Sequence, residues 1–246
     1  MFSPPFSSGS SHIGDLLDHG YAVLAAADVR HLAGVGAPGL AALEPDWEHL
    51  ERDAYLRDGG AYRYRRHASF TLDPGQQPSV VPYRPHWQPL QYNALHGGME
   101  RWFAPVAGAT LAAPCWCKLL AWVGAVANAL HPAPRWYGEA HQFRIDTAGG
   151  IGRPTPEGAH RDGVDVVAVF LVERQGIKGG ETRVFELDGP SGQRFTLEEP
   201  WSVLLLDDAM VIHETTPIQP LVPDQSGHRD TLVVTLRAGG FLAPGA

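Results

Sequence analysis

The chain has 246 residues, 44% of them hydrophobic, and a net charge of −8. That length suffices for one large domain with a substantial core. The acidic balance argues against a nucleic-acid partner, which needs a basic face. Two cysteines, Cys115 and Cys117, are too few for a disulfide scaffold and lack the second ligand pair of a zinc ribbon. They read as buried, reduced thiols of a cytoplasmic protein. The longest apolar run, 119–130, is too short to cross a bilayer, and the N-terminus has neither the basic nor the apolar stretch of a signal peptide.

In chain order, residues 1–10 are expected to be disordered and 11–246 to form a single domain, helical over 11–135 with a β-barrel core over 136–240. Ser11 opens a short helix to Asp18, and Gly20 precedes a small strand, Tyr21–Leu24. Ala27–Leu32 and Asp46–Leu56 read as further helices, the second capped by Asp46. Ala61–Arg65 alternates in strand fashion and sets Arg63 and Arg65 on one face, as a solvated edge or as an anion site. Residues 73–90, rich in Pro and Gln, form a long irregular loop of the kind that often serves as a lid or binding element. Met99–Phe103 reads as a short helix and Leu111–Ala129 as an apolar helix interrupted by Pro114.

From Trp136 onward short strands alternate with Gly, Pro and Asp turns, the pattern of a sandwich or barrel. Glu139–Ile145 alternates, with Gln142 and Arg144 on one side and His141, Phe143 and Ile145 on the other. The polar pair is expected to line a cavity. His160 and Asp162 stand two apart before an apolar run, so on an extended chain both reach the same side. The chain contains two other His-x-acid pairs, at His49 and His228. His49 lies in a stretch read as helical, where i and i+2 diverge, and no histidine follows His228. Only His160 and Asp162 are followed by a histidine closing an apolar strand, His213. Two histidines and one carboxylate on one face of an octahedral ion leave three positions open, as in non-haem Fe(II) oxygenases. An inward-facing site of this kind points to a jelly-roll or cupin-like barrel. If 2-oxoglutarate feeds electrons to such a site, its distal carboxylate needs a buried cation. Arg229 opens the last long strand, with Thr231 two residues on and on the same face.

The blocks His-Gln-Phe-Arg-Ile from 141, Pro-Thr-Pro-Glu-Gly-Ala-His-Arg-Asp-Gly from 154, Gly-Gly-Glu-Thr from 179, His-Glu-Thr-Thr-Pro-Ile from 213 and Arg-Asp-Thr-Leu-Val-Val-Thr from 229 resemble the bacterial 2-oxoglutarate/Fe(II) dioxygenases. The group in question contains L-isoleucine 4-hydroxylase and related free amino-acid hydroxylases, together with BsmA-like proteins. The resemblance covers roughly residues 63 to 236. It implies a double-stranded β-helix, mainly β with flanking helices, in which His160, Asp162 and His213 bind iron and Arg229 and Thr231 contact 2-oxoglutarate. Gln142 and Arg144 would lie in the cosubstrate or substrate pocket. The expected reaction is hydroxylation of an unactivated C–H bond of a small molecule, a free L-amino acid first, using Fe(II), 2-oxoglutarate and O2. Arg63, Arg65 or Arg144 would take the amino acid's carboxylate, and Glu157 or Asp165 its ammonium. The alternatives are a non-amino-acid substrate, or a metal-binding barrel with a regulatory or biofilm-related role and little turnover. Neither nucleic acid nor membrane is expected as a partner, and the oligomeric state is left open, a homodimer included.

Overall fold

The computed structural model describes residues 2–189 and 191–245. Helices come first: α1 (His12–His19), strand β1 (Tyr21–Leu24), α2 (Ala26–Ala33), α3 (Ala37–Ala41) and a 3-10 segment, Glu44–His49. Strands β2 (Glu51–Arg52), β3 (Arg63–Leu72) and β4 (Ser79–Val80) follow, then α4 (Gly108–Leu111) and α5 (Pro114–Leu130). The rest is β: β5 (Trp136–Asp146), β6 (Val166–Gln175), β7 (Ile177–Gly179), β8 (Thr182–Glu186), β9 (Gly192–Phe195), β10 (Val203–Asp207), β11 (Val211–Thr215), β12 (Ile218–Pro220) and β13 (His228–Arg237).

One eight-stranded antiparallel sheet runs β1-β10-β6-β13-β5-β3-β2, with β4 attached to β3, and two small sheets, β11-β8-β9 and β12-β7, accompany it. The result is a double-stranded β-helix, a jelly roll with helices on one side. Period-two alternation divides the large sheet. Leu232, Val234 and Leu236 of β13, with Val166, Ala168 and Phe170 of β6, pack against Leu119, Leu120 and Val123 of α5. The intervening Val167, Leu171, Leu204 and Leu206 point inward to Val184, Phe195 and Val211. The other end of this inward face is polar, and it carries the cavity.

Five sequence expectations are corrected. Residues 2–10 are tied to the fold: the Ser7 amide donates to the Val23 carbonyl, and the Thr196 amide to that of Phe2. Met1 lies outside the described residues. The helix expected over Asp46–Leu56 is the short 3-10 segment followed by β2, because Trp47 is drawn inward and its indole N–H donates to the carbonyls of Phe143 and Thr231. Pro114 does not interrupt a helix but starts α5, where its missing N–H costs nothing. Met99–Phe103 is not helical, since Arg101 forms a two-way backbone bridge with His86. The boundary drawn at residue 135 is also not a structural one, as β1 to β4 belong to the large sheet.

Candidate active site

The 160s loop is fastened by backbone pairing. The amide of His160 donates to the carbonyl of His213 at 3.0 Å, and that of His213 to the carbonyl of His160 at 2.9 Å. This reciprocal bond brings residues 53 positions apart in sequence side by side, with ring centroids 4.7 Å apart. Gly163 turns the chain at φ +79° where a side chain would meet the Tyr92 ring, and only glycine adopts that conformation freely. Asp208, fully buried, holds the turn: its carboxylate accepts the amides of Asp162 (3.0 Å), Gly163 (2.8 Å) and Val164 (3.2 Å). Burial, then the Asp162 charge, push the Asp208 carboxyl up to about 6 despite these bonds.

His160 Nε2 and His213 Nε2 each lie 3.8 Å from an oxygen of Asp162. That is too long for hydrogen bonds and suits three ligands gathered around one ion. One ligand-type atom from each of the three lies within 4.8 Å of the others. His160 Nδ1 donates to the Gly158 carbonyl at 3.0 Å, which leaves Nε2 as a lone pair, the usual arrangement for a metal-binding imidazole. His213 Nδ1 is buried with no partner. Burial and the neighbouring His160 push His213 down to about 4. For His160, burial is outweighed by Asp162 and Glu157, which hold it above its ordinary value. A dication suits such a set of two imidazoles and a carboxylate.

These residues open on a cavity of about 140 Å³ whose wall includes Arg63, Arg65, Arg101, Glu157, Arg229 and Thr231. Arg229 is 4% exposed, and among the described residues no carboxylate lies within 4 Å of its guanidinium. Burial and Arg174 pull it down to about 10, so it remains a cation at neutral pH. Arg63 and Arg65 are buried, not solvated. Asp53 lies between them, 2.7 Å from Arg63 Nε and 3.8 Å from Arg65 Nη1.

Gln142 and Arg144 are not in this cavity, which corrects the expectation for both. The alternation along β5 is as read, but His141, Phe143 and Ile145 face the cavity. The outer face of β5 is covered by the 3-10 segment, which supplies polar partners. Gln142 donates to Asp46 at 3.4 Å, and Arg144 forks onto Asp230 (2.9 and 2.7 Å) and also pairs with Glu48. Asp165 is likewise outside the cavity, accepting the Ala238 amide at the surface.

Sequence reading missed three features of the wall. A buried quartet, His67, His86, Glu139 and His141, has its ligand-type atoms within 4.8 Å of one another. Its side chains are already partnered: Glu139 accepts from His67 (3.2 Å) and His86 (2.8 Å), while Arg65 donates to His141 Nδ1 (2.7 Å). Arg84, 3.7 Å from Glu139, and Arg65, bonded to His141, already supply the positive charge a metal would bring. The other two are Arg101 and Gln88. Gln88 stands in the Pro/Gln-rich loop and donates to Asp162 Oδ1 at 3.2 Å. The only sequence signal for it was that loop's length and irregularity.

The 2OG-Fe dioxygenase family pattern matches residues 44–235, most of the chain. The chain belongs to that family. This dioxygenase is 52% identical to a bsmA homolog from Methylobium petroleophilum PM1 over 99% of this chain and 98% of that one, and the two structures superpose with a TM-score of 0.93. At the level of fold alone it is similar to IDO from Bacillus thuringiensis (17% identity, 97% and 99% of the two chains, TM-score 0.75). The same holds for the Fe(II)/(alpha)ketoglutarate-dependent dioxygenase TqaL (18% identity, 93% and 86%, TM-score 0.73). No curated protein matches the chain. The family uses Fe(II), 2-oxoglutarate and O2. Among the described residues no helix is long and apolar enough to cross a membrane.

Proposed function

We propose that this dioxygenase hydroxylates a free L-amino acid at an unactivated C–H bond, with His160, Asp162 and His213 holding Fe(II) and Arg229 with Thr231 holding 2-oxoglutarate. The observation that carries the reading is the pairing, in one cavity, of the two-histidine, one-carboxylate set with the buried, carboxylate-free Arg229. Bound iron supplies the O2 activation that couples decarboxylation of 2-oxoglutarate to oxygen insertion. The protein's part is positional. Arg229 offers a planar fork to a distal carboxylate. Val164, Val169 and Val233 line the same space and suit an aliphatic side chain. Glu157 has a buried oxygen, Oε2, with no partner, and suits an ammonium, while the arginine-rich wall suits a carboxylate. A zwitterion satisfies both. Both cysteines are free thiols, half-buried rather than buried as the sequence suggested, in keeping with a cytoplasmic enzyme.

The test is succinate release by the Fe(II)-loaded protein with 2-oxoglutarate and each of the twenty L-amino acids. At least one should stimulate release well above the substrate-free rate and gain one oxygen in mass. Turnover of 2-oxoglutarate that no amino acid stimulates would refute the substrate class. Absence of any turnover would favour a metal-binding barrel with a regulatory role.

A further inference from the structure

Charge accounting inside the cavity leaves one group unexplained. Four guanidiniums line it: Arg63, Arg65, Arg101 and Arg229. A buried cation without a counter-charge is costly. Arg63 and Arg65 share Asp53, and Arg65 is further committed to His141 and sits over the rings of Phe103 and Phe143. Among the described residues, the two with no carboxylate within 4 Å are Arg229 and Arg101. One 2-oxoglutarate has one distal carboxylate, which accounts for one of them.

Arg101 is 2% exposed, and its backbone is fixed by the paired bonds with His86, both 3.0 Å. Its single side-chain bond runs from Nη2 to Gln88 Oε1 at 2.8 Å, and Nε has no partner. The Gln88 oxygen also accepts from Asn93 Nδ2 at 3.2 Å. Two donors on that oxygen fix the amide's orientation and turn its nitrogen toward Asp162 Oδ1.

We infer that Arg101 forms a carboxylate-binding subsite for the substrate, with Gln88 as a positioning residue that links this subsite to Asp162. The inference rests on the dioxygenase reading, with iron at Asp162. A planar guanidinium favours a carboxylate over a point anion because both oxygens can be met at once. Occupancy would also restrain Nη2, and through Gln88 the oxygen of Asp162 that faces His160.

The test uses Fe(II)-loaded, 2-oxoglutarate-saturated protein without O2, titrated calorimetrically with each L-amino acid and with its carboxamide. Wild type should bind at least one acid roughly 30-fold or more tighter than its amide, as expected for a charge-assisted pair. Arg101→Met should weaken that acid by roughly 30- to 100-fold and equalise acid and amide, with 2-oxoglutarate affinity kept within about 3-fold. Arg101→Lys, which keeps the charge but not the fork, should fall between and serves if the Met variant does not fold. Gln88→Met should lower affinity for Co(II), used as the metal probe, by about 10-fold, and an unchanged Co(II) affinity would overturn the link to Asp162. Normal 2-oxoglutarate affinity with no acid preferred over its amide, or with the Arg101→Met loss falling on 2-oxoglutarate, would overturn the subsite alone. Failure of wild type to bind 2-oxoglutarate would instead overturn the dioxygenase reading and the subsite with it.

Discussion

Replacing Asp208 by asparagine should loosen the proposed metal ligands without touching them. The buried carboxylate receives three backbone amides from residues 162–164, and its own amide donates to the Asp165 carbonyl at 3.0 Å. An asparagine has one acceptor oxygen. If that oxygen replaces Oδ2, the Gly163 and Val164 amides keep a partner and the Asp162 amide meets an N–H. If it replaces Oδ1, two amides lose theirs. At least one buried donor is therefore orphaned, at about 1–3 kcal/mol, and the charge assistance to the others goes too. The orientation that orphans fewest amides leaves that of Asp162 without a partner, so the backbone of that residue is released. We expect about 2 kcal/mol lower stability in urea unfolding and Co(II) affinity reduced by about 10- to 100-fold, as for other groups that orient metal ligands. Stability within about 0.5 kcal/mol of wild type, together with unchanged Co(II) affinity, would refute the clamp.

Other consequences follow from the same geometry. Burial, outweighing Glu139, lowers His86 to about 4 from an ordinary 6.5, so between those values the unfolded chain binds a proton that the folded chain does not. Stability from this group is then full above about pH 6.5 and falls as the pH drops toward 4, by up to about 3 kcal/mol. His86→Asn should flatten the slope of urea stability against pH, and an unaltered slope would contradict the assignment. Arg144→Ala strips the fork from Asp230, which is 1% exposed, and should cost about 2–4 kcal/mol while leaving 2-oxoglutarate affinity within about 2-fold. A large loss of that affinity would return Arg144 to the cavity. Gly163→Ala should lower stability by about 1–3 kcal/mol through the positive φ and the Tyr92 ring, and thermal melts of the two proteins decide it.

What the sequence made legible was local and periodic. The His160, Asp162 and His213 set could be picked out because the i, i+2 spacing and the following apolar strands are short-range signals, and Arg229 because it opens a strand. The face of β5 could not be read the same way. The strand is central and covered on both sides, so polarity marks no exposure. Gln142 is wholly buried yet turned away from the cavity, because Asp46 and Glu48 arrive from nearly a hundred residues upstream. Arg101 and Gln88 were hidden for a related reason. Both sit in aperiodic backbone, and their meaning comes from contacts with each other and with Asp162. The disordered start was misjudged because Ser, Pro and Gly composition says nothing of the carbonyl of Val23 waiting for Ser7.

In the proposed function, one cavity binds iron at His160, Asp162 and His213 and 2-oxoglutarate at Arg229. Anaerobic titration of the Fe(II)-loaded protein with 2-oxoglutarate, followed by its visible charge-transfer absorption, tests it most directly, with Arg229→Ala run alongside. A saturable band in wild type, requiring about 100-fold more 2-oxoglutarate in Arg229→Ala, is the predicted result. Iron bound with no band in either protein, or a band indifferent to Arg229, would contradict it.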